Sequence, residues 1–182
     1  MSEEWRTFCA VELSAEVRAQ LQDHVRVLRE AVPEAVASWS KPENVHLTLK
    51  FFGNVPKEKV PRISDVAARV ASQFSSFTIG IGGTGAFPKV LWIGVKDPTG
   101  RLTELQRQLD AETFPKEDRS YKPHLTIARL RHPEGARKLR ETHLQTKFDL
   151  IDVPVKEFVV FRSQLNPKGS IYTAISKHEL PR

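Results

Sequence analysis

Hydrophobic and polar residues alternate along this chain with the two periods that distinguish helices from strands. Apolar residues at steps of three and four over 17–32 predict a helix, for which Ser14 is a suitable N-cap. Further helices are predicted after Pro56, after the Asp97-Pro98 pair and over about 133–144. Shorter apolar runs predict strands at 5–13, 45–52, 77–82, 90–96, 122–130, 148–161 (broken at Pro154) and 171–176. The segments 35–44 and 114–122 are predicted to be loops, and 166–169 a turn.

The order strand, helix, strand, helix, strand occurs twice, which indicates an internal duplication with lobes of about 1–84 and 85–182. We interpret the glycine-rich run 82–85 as the flexible link between the lobes. We predict an α+β fold in which two pseudo-symmetric lobes, each an antiparallel sheet with outer helices, face one another across a central cleft. Because neither half can cover its own sheet face, we expect one bilobal domain over 1–182, with the lobes able to exchange strands.

The tetrapeptide His-apolar-Thr-apolar occurs at 46–49 and again at 124–127, within the repeated element order. Successive strand residues point to opposite faces, so each histidine shares a face with the threonine two positions later. One neutral and one protonated imidazole can coexist near pH 7, which suits His46 and His124 to general acid–base catalysis. The hydroxyls of Thr48 and Thr126 would then donate to an anionic group. This set of groups suits the hydrolysis of a phosphodiester without a metal ion.

The paired histidines have two alternative explanations. Either histidine alone is also explained as a strand residue with core hydrogen bonds, but a matched pair with matched threonines favours catalysis. A zinc site usually takes three protein ligands, and no acidic residue lies close by on the same face of either motif strand. We expect no metal and no other cofactor. We assign no role to the remaining histidines, which fall on helices, in a turn or near the last residues: His24, His132, His143 and His178.

The chain is basic, with a net charge of +6 and a pI of about 9.6. A basic surface alone explains such a charge, but seven basic residues lie close to the second motif. Clustered cations favour a polyanionic partner, most often nucleic acid. The cluster consists of Arg119, Lys122, Arg129, Arg131, Arg137, Lys138 and Arg140.

No apolar run approaches about 18 residues, so we predict no transmembrane helix and no membrane partner. The acidic first residues lead straight into a predicted strand, so no signal peptide is expected. Cys9 is the single cysteine, which excludes an intrachain disulfide. These features indicate a cytoplasmic protein, and we expect a monomer.

Around the motifs the sequence resembles the two-histidine phosphoesterase superfamily, and within it the LigT/ThpR-type RNA 2′,3′-cyclic phosphodiesterases of the 2′,5′-RNA ligase family. The resemblance rests on PENVHLTLKFFG at 42–53, on YKPHLTIAR at 121–129, and on FRSQL at 161–165 followed by Gly169 and Tyr172. It covers almost the whole chain.

The resemblance implies metal-independent hydrolysis of an RNA 2′,3′-cyclic phosphate end to a 2′-phosphomonoester, with tRNA fragments among the candidate substrates. It also raises the reverse reaction, which joins RNA ends by a 2′,5′ linkage. It assigns His46 as the proton donor to the leaving 3′ oxygen and His124 as the proton acceptor that activates water. From the residues alone the order of these two roles stays open, since the motifs are nearly symmetric.

Further residues are candidates for substrate binding. Arg129 lies five positions after His124, so strict alternation puts it on the opposite face, and it reaches phosphate only if the strand ends or bulges near Ala128. The family pattern ends in the same Ala-Arg pair, which favours the binding role. Weaker candidates for backbone phosphates are Lys122 and Arg162. Candidates to stack on a terminal base, although aromatics at strand ends are more often core, are Tyr121, Phe52, Trp39 and Phe87.

Two other functions remain open at this point. One is a cyclic phosphodiesterase acting on a small nucleotide, such as an ADP-ribose cyclic phosphate, or on a 2′,5′-linked oligonucleotide. The other is a non-catalytic module that binds RNA ends. Two intact motifs argue against the module, and the basic cluster favours a longer polyanion than a mononucleotide.

Overall fold

The computed structural model describes residues 3–118, 120–133, 135–167 and 169–182, which form nine strands and four α-helices. The strands are β1 (Glu4–Val11), β2 (Ala37–Trp39), β3 (Leu47–Pro56), β4 (Phe77–Phe87), β5 (Val90–Lys96), β6 (His124–Leu130), β7 (Ile151–Val155), β8 (Glu157–Gln164) and β9 (Ile171–Glu179). The helices are α1 (Ala15–Ala31), α2 (Val60–Ala71), α3 (Arg101–Glu112) and α4 (Ala136–Gln145).

The strands form two antiparallel sheets, which confirms the predicted α+β fold. The first sheet has the order β3-β1-β8-β9, and the second has the order β2-β6-β5-β4-β7. The strands β1 and β5 occupy equivalent places, because each is flanked by a motif strand, β3 or β6, and by a strand from the other half of the sequence.

Both sheets combine strands from the two halves of the sequence. β4 follows α2 but joins the second sheet, and β8 belongs to the second half but pairs with β1 in the first sheet. The boundary predicted at residues 84 and 85 therefore lies inside β4, and the sheets do not coincide with the sequence halves. The assignment of the whole chain to one bilobal domain stays a prediction.

The interpretation of 82–85 as a flexible link was wrong, since these glycines lie within β4. The pairing of β4 with β5 shifts between Ile81 and Thr84, and Gly83 has a φ of 77°. A Cβ atom at Gly85 would lie 2.1 Å from the Trp92 ring, so the ring occupies the space that a side chain would fill. The glycines thus allow a bulge and a close ring contact inside a strand.

The helices begin close to their predicted positions. Ser14 is confirmed as the N-cap of α1, and its hydroxyl accepts a hydrogen bond from the Val17 amide at 3.3 Å. α3 begins later than predicted, at Arg101 after Gly100, although the Asp97 carboxylate still accepts from two amides of its first turn. None of the described helices is long and apolar enough to span a bilayer.

Two strand predictions needed correction. Pro154 lies within β7 and pairs with Thr78, and the break falls instead between β7 and β8 at Lys156. A proline is tolerated there because β7 is an edge strand. The predicted loop 35–44 contains the short edge strand β2 and a 3-10 turn at Pro42–Asn44. The turn predicted at 166–169 is closed by the Gly169 amide on the Asn166 carbonyl, while Lys168 lies outside the described residues.

Three histidines to which we assigned no role are buried. Nε2 of His24 in α1 lies 3.0 Å from Nδ1 of His143 in α4, and His178 bonds to Ser176 at 2.8 Å. Burial lowers the pKa of His24 to about 4, and the neighbouring His143 lowers it further. His24 and His143 are therefore neutral structural groups that join α1 to α4, whereas His178 bonds within its own strand β9.

Candidate active site

Both sequence motifs line one cleft of about 990 Å³ between the two sheets. β3 supplies Thr48 with His46 just before it, and β6 supplies His124 and Thr126. Arg129 lines the same cleft. The structure thus brings together all five residues that the motifs and the family pattern single out most strongly.

The apolar residues of the motifs orient the polar ones. Leu47 and Leu49 of the first motif and Leu125 and Ile127 of the second are at most 2% exposed, within the main core. Since strand side chains alternate, burying these four turns the imidazoles and hydroxyls to the opposite face, which is the cleft.

A β-bulge follows the threonine in each motif strand. In the pairing of β1 with β3, Cys9 faces Lys50 and Ala10 faces Thr48, which leaves Leu49 as an extra residue. In the pairing of β5 with β6, Leu91 faces Ala128 and Trp92 faces Thr126, which leaves Ile127 as an extra residue. Each bulge reverses the alternation beyond it.

The bulges decide which later residues reach the cleft. Arg129 lies in the cleft because of the bulge at Ile127, which meets the condition set by the sequence. At the equivalent position of the first motif the bulge brings Phe51 into the cleft, 49% exposed. Phe52 points instead into the core and is 3% exposed, so the expectation that it stacks on a base was wrong.

His46 lies among aromatic rings of the first sheet. Its ring stacks on Phe8 with the centroids 4.7 Å apart, and Tyr172 meets it edge-on at 5.3 Å. Burial lowers the pKa of His46 to about 4, a hydrogen bond to the Asn44 backbone opposes this, and the positive charge of Arg18 lowers it slightly more. In the protein without substrate His46 is therefore neutral near pH 7.

Arg18, which sequence reasoning missed, fixes the segment that leads into His46. Its guanidinium donates to the carbonyls of Pro42 at 2.5 Å and Val45 at 3.2 Å, while Nε donates to Leu13. Backbone carbonyls carry no sequence signal, so only the fold reveals these contacts.

His124 is held by a backbone carbonyl. Its Nδ1 lies 2.7 Å from the Lys122 oxygen, and since a carbonyl only accepts, Nδ1 carries the hydrogen. In the neutral ring this leaves the lone pair on Nε2, as a proton acceptor requires. Phe87 lines the cleft and meets the ring perpendicularly, with centroids 5.2 Å apart.

Tyr121 and Lys122 both line the cleft but differ in exposure. The Tyr121 hydroxyl donates to the Thr48 carbonyl at 2.9 Å, and burial raises the pKa of Tyr121. Tyr121 therefore ties the residues just before β6 to β3 rather than offering a free face for stacking. Lys122 is exposed at the cleft, where its ammonium can meet phosphate.

Two further candidates lie outside the cleft. Arg162 packs on the Trp5 ring at 4.3 Å and pairs with Glu3, because it alternates with Phe161 along β8. Trp39 lines a separate groove of about 670 Å³ between α1 and β2. Neither Arg162 nor Trp39 is therefore placed to contact a cyclic phosphate that lies beside the two histidines.

The basic cluster divides into two parts. Lys122 and Arg129 line the cleft, whereas the residues of α4 have partners on the surface. Arg131 bonds to Ser38, and the surface pairs are Arg137 with Glu141, Lys138 with Glu34, and Arg140 with the Pro88 carbonyl. Arg119 lies outside the described residues. The cations available at the cleft are thus fewer than the sequence cluster indicated.

Among 3–118, 120–133, 135–167 and 169–182 no group of three or more His, Cys, Asp or Glu side chains is arranged to hold a metal ion. The expectation of a metal-free reaction stays a prediction for experiment.

Comparison with known proteins supports one family. A sequence profile of the 2′-5′ RNA ligase superfamily matches residues 16–167. The RNA 2′,3′-cyclic phosphodiesterase of Methanothermobacter thermautotrophicus is 37% identical, over 92% of this chain and 95% of its own, and that of Thermotoga maritima is 34% identical, over 93% and 92%. The apo crystal structure of E. coli LigT superposes with a TM-score of 0.80 at 27% identity, covering both chains fully, and its complex with 3′-AMP gives 0.77 at 26%.

Proposed function

This chain belongs to the 2′-5′ RNA ligase superfamily, and we propose that it hydrolyses RNA 2′,3′-cyclic phosphate ends to 2′-phosphomonoesters without a metal ion. The observation that carries the proposal is the meeting of two His-x-Thr motifs in one cleft, with imidazoles in different surroundings. The relatives named RNA 2′,3′-cyclic phosphodiesterase support the choice of substrate.

His124 takes the proton of the attacking water. Its Nδ1–H is held by the Lys122 carbonyl, which leaves Nε2 to accept. The water oxygen bonds to phosphorus and the bond from phosphorus to the 3′ oxygen breaks. His46 gives its proton to that 3′ oxygen, so the product carries a 2′-phosphate and a 3′-hydroxyl.

His46 receives its proton only with the substrate. Its pKa of about 4 in the protein alone reflects burial, and a phosphodiester anion beside the ring favours the imidazolium form. Thr48 and Thr126 donate to the non-bridging oxygens, and Arg129 neutralises the charge that develops there. The phosphodiester whose leaving oxygen His46 will protonate thus also favours protonation of His46.

The remaining parts of the cleft suit an RNA end. Phe51 offers an exposed ring to the terminal base, Phe87 is a second candidate, and Lys122 meets a neighbouring phosphate. We further propose that tRNA fragments are among the substrates, that ligation through a 2′,5′ linkage is the reverse reaction, and that the protein acts as a monomer in the cytoplasm.

The test is a short RNA with a 2′,3′-cyclic phosphate end, incubated in EDTA, with the products resolved as 2′- or 3′-phosphates. We expect a 2′-phosphate, and none with His46→Ala. A 3′-phosphate would exclude the 3′ oxygen as leaving group, and activity that is lost in EDTA and restored by zinc would overturn the metal-free mechanism.

The same assay separates the alternative substrates. If RNA is inert while a nucleotide cyclic phosphate is cleaved, the mechanism stands and RNA is discarded as substrate. RNA affinity should fall steeply with salt, whereas a flat response favours a small nucleotide. Binding of RNA ends without turnover would identify a binding module.

A further inference from the structure

Lys50 is a buried cation beside the first motif, and the mechanism above does not use it. Its side chain is fully buried, and Nζ lies 2.5 Å from both Asp110 Oδ1 in α3 and the Pro115 carbonyl oxygen. Lys50 follows the bulge at Leu49 and is among the residues that bound the cleft, but its side chain is fully buried and its ammonium is held by Asp110 and Pro115. Lys50 therefore acts on something other than the substrate.

The fold alone does not require a cation here. Ala128 occupies the equivalent position after the bulge of the second motif, where a small apolar residue is fully buried. Burying an ion pair is costly, and apolar residues of similar volume often serve stability as well. A charge at one of two equivalent positions thus indicates a task specific to the first motif.

The partners of Lys50 hold the segment that leads to His124. Asp110 Oδ1 also accepts a hydrogen bond from the Glu117 amide at 2.9 Å. Burial would raise the pKa of Asp110, but the hydrogen bonds from Lys50 and Glu117 outweigh it and lower that pKa. A charged carboxylate therefore joins Lys50 to the start of the segment.

The other end of this segment is tied to the same strand. The Tyr121 hydroxyl donates to the Thr48 carbonyl at 2.9 Å, and the next residue, Lys122, supplies the carbonyl that holds His124 Nδ1. β3 thus holds the described residues on both sides of position 119, Pro115 through the Lys50 side chain and Tyr121 through the Thr48 backbone.

We propose that Lys50 is a positioning residue: through Asp110 and Pro115 it anchors the segment whose Lys122 carbonyl orients His124, and so couples the first motif to the second. The proposal rests on the proposed function only for its catalytic consequence. The orientation of the His124 ring is a property of the protein without substrate.

The test compares Lys50→Met, which keeps the length of the side chain, with Lys116→Met. Lys116 is a matched control, because it lies in the same segment but, among the described residues, its ammonium contacts carbonyls of Asp110 and Ala111 in α3 and the Phe114 ring rather than β3. We expect Lys50→Met to lower kcat about 10- to 100-fold with KM within about threefold, and Lys116→Met to leave both near wild type.

The structural readout is the pair of imidazole nitrogen signals in ¹⁵N-histidine NMR spectra without RNA. In Lys50→Met the Nδ1–H signal of His124 should shift or broaden while the His46 signals stay in place. This arm remains informative even if the wild type turns over no RNA, so failure of the proposal and failure of the proposed function are distinguishable.

A folded Lys50→Met protein with wild-type kcat and unchanged His124 signals would overturn the proposal. So would equal changes at both histidines, since these would indicate general loosening. If Lys50→Met does not fold, Asp110→Asn replaces it, because Asp110 lies at the surface end of the pair and its amide keeps an acceptor for Glu117. Asp110→Asn should give the same selective change in the His124 signals and a smaller loss of kcat. If the His124 signals do not change in this variant, the proposal is likewise rejected.

Discussion

The two motif strands place the same tetrapeptide in different surroundings. On the first sheet His46 is enclosed by Phe8 and Tyr172 and followed by Phe51 in the cleft. On the second sheet His124 bonds to a carbonyl and is followed in the cleft by Arg129, at the position equivalent to Phe51. The two motifs therefore supply two imidazoles in unlike surroundings, and we propose that this difference divides the donor and acceptor roles between them.

The difference between the two motifs is tested most directly by replacing each histidine in turn. We expect His46→Gln and His124→Gln each to lower kcat by about 10²- to 10⁴-fold. The pH dependence of the residual activity should run in opposite directions in the two variants. An acid loses its proton as pH rises, so His46→Gln should remove the alkaline limb, whereas His124→Gln should remove the acidic limb. Loss of the same limb in both variants would contradict the division of roles, and initial rates from pH 5 to 9 provide the measurement.

The second prediction sharpens the contrast between the equivalent cleft positions. Arg129→Met should weaken transition-state binding by about 2 kcal/mol, since hydrogen bonds to charged groups contribute on that scale. It should also reduce the salt dependence of kcat/KM. Phe51→Leu should cost about 1 kcal/mol through lost stacking and leave the salt dependence unchanged. Measuring kcat/KM at several salt concentrations tests both, and an equal salt response would show that the two positions do not differ in role.

The third prediction concerns proton affinity. Burial lowers the pKa of His46 to about 4, and a bound anion opposes this by stabilising the imidazolium. Saturating inorganic phosphate should therefore raise the pKa of His46 by more than about one unit, equivalent to about 1.4 kcal/mol. By linkage, the contribution of His46 to phosphate binding should grow as pH falls through the raised pKa and be complete below about 4. An NMR titration of His46 with and without phosphate measures the change in pKa. An unchanged pKa would exclude the proposal that the bound anion promotes protonation of His46.

Much of the site could be predicted because strand alternation and repetition are local properties. The faces of His46, Thr48, His124 and Thr126 follow from the buried apolar residues between them. The position of Arg129 in the cleft could be predicted only on the condition that the strand bulges, because a bulge depends on pairing with a neighbouring strand. Phe52 failed for the same reason, since the bulge exchanged its place with Phe51.

The fold was predictable to the level of elements and their repetition, but not of strand exchange. Pairing of β1 with β8 joins residues more than 140 positions apart, and no periodicity encodes it. The glycines of β4 were interpreted as a flexible link because a glycine-rich sequence is typical both of a turn and of a bulged strand. Arg18 and Lys50 act through backbone carbonyls and a distant carboxylate, which sequence spacing cannot reveal.

The exchange of strands also sets an order of events during synthesis on the ribosome. β1 and β3 emerge early, but the first sheet waits for β8 and β9, the last two strands of the described structure. Such distant pairings form slowly, because a long loop must close before any contact rewards it. Tyr172, which lies against His46, belongs to β9. The earlier of the two motif histidines thus completes its surroundings late, and catalytic competence is expected only once β9 has emerged.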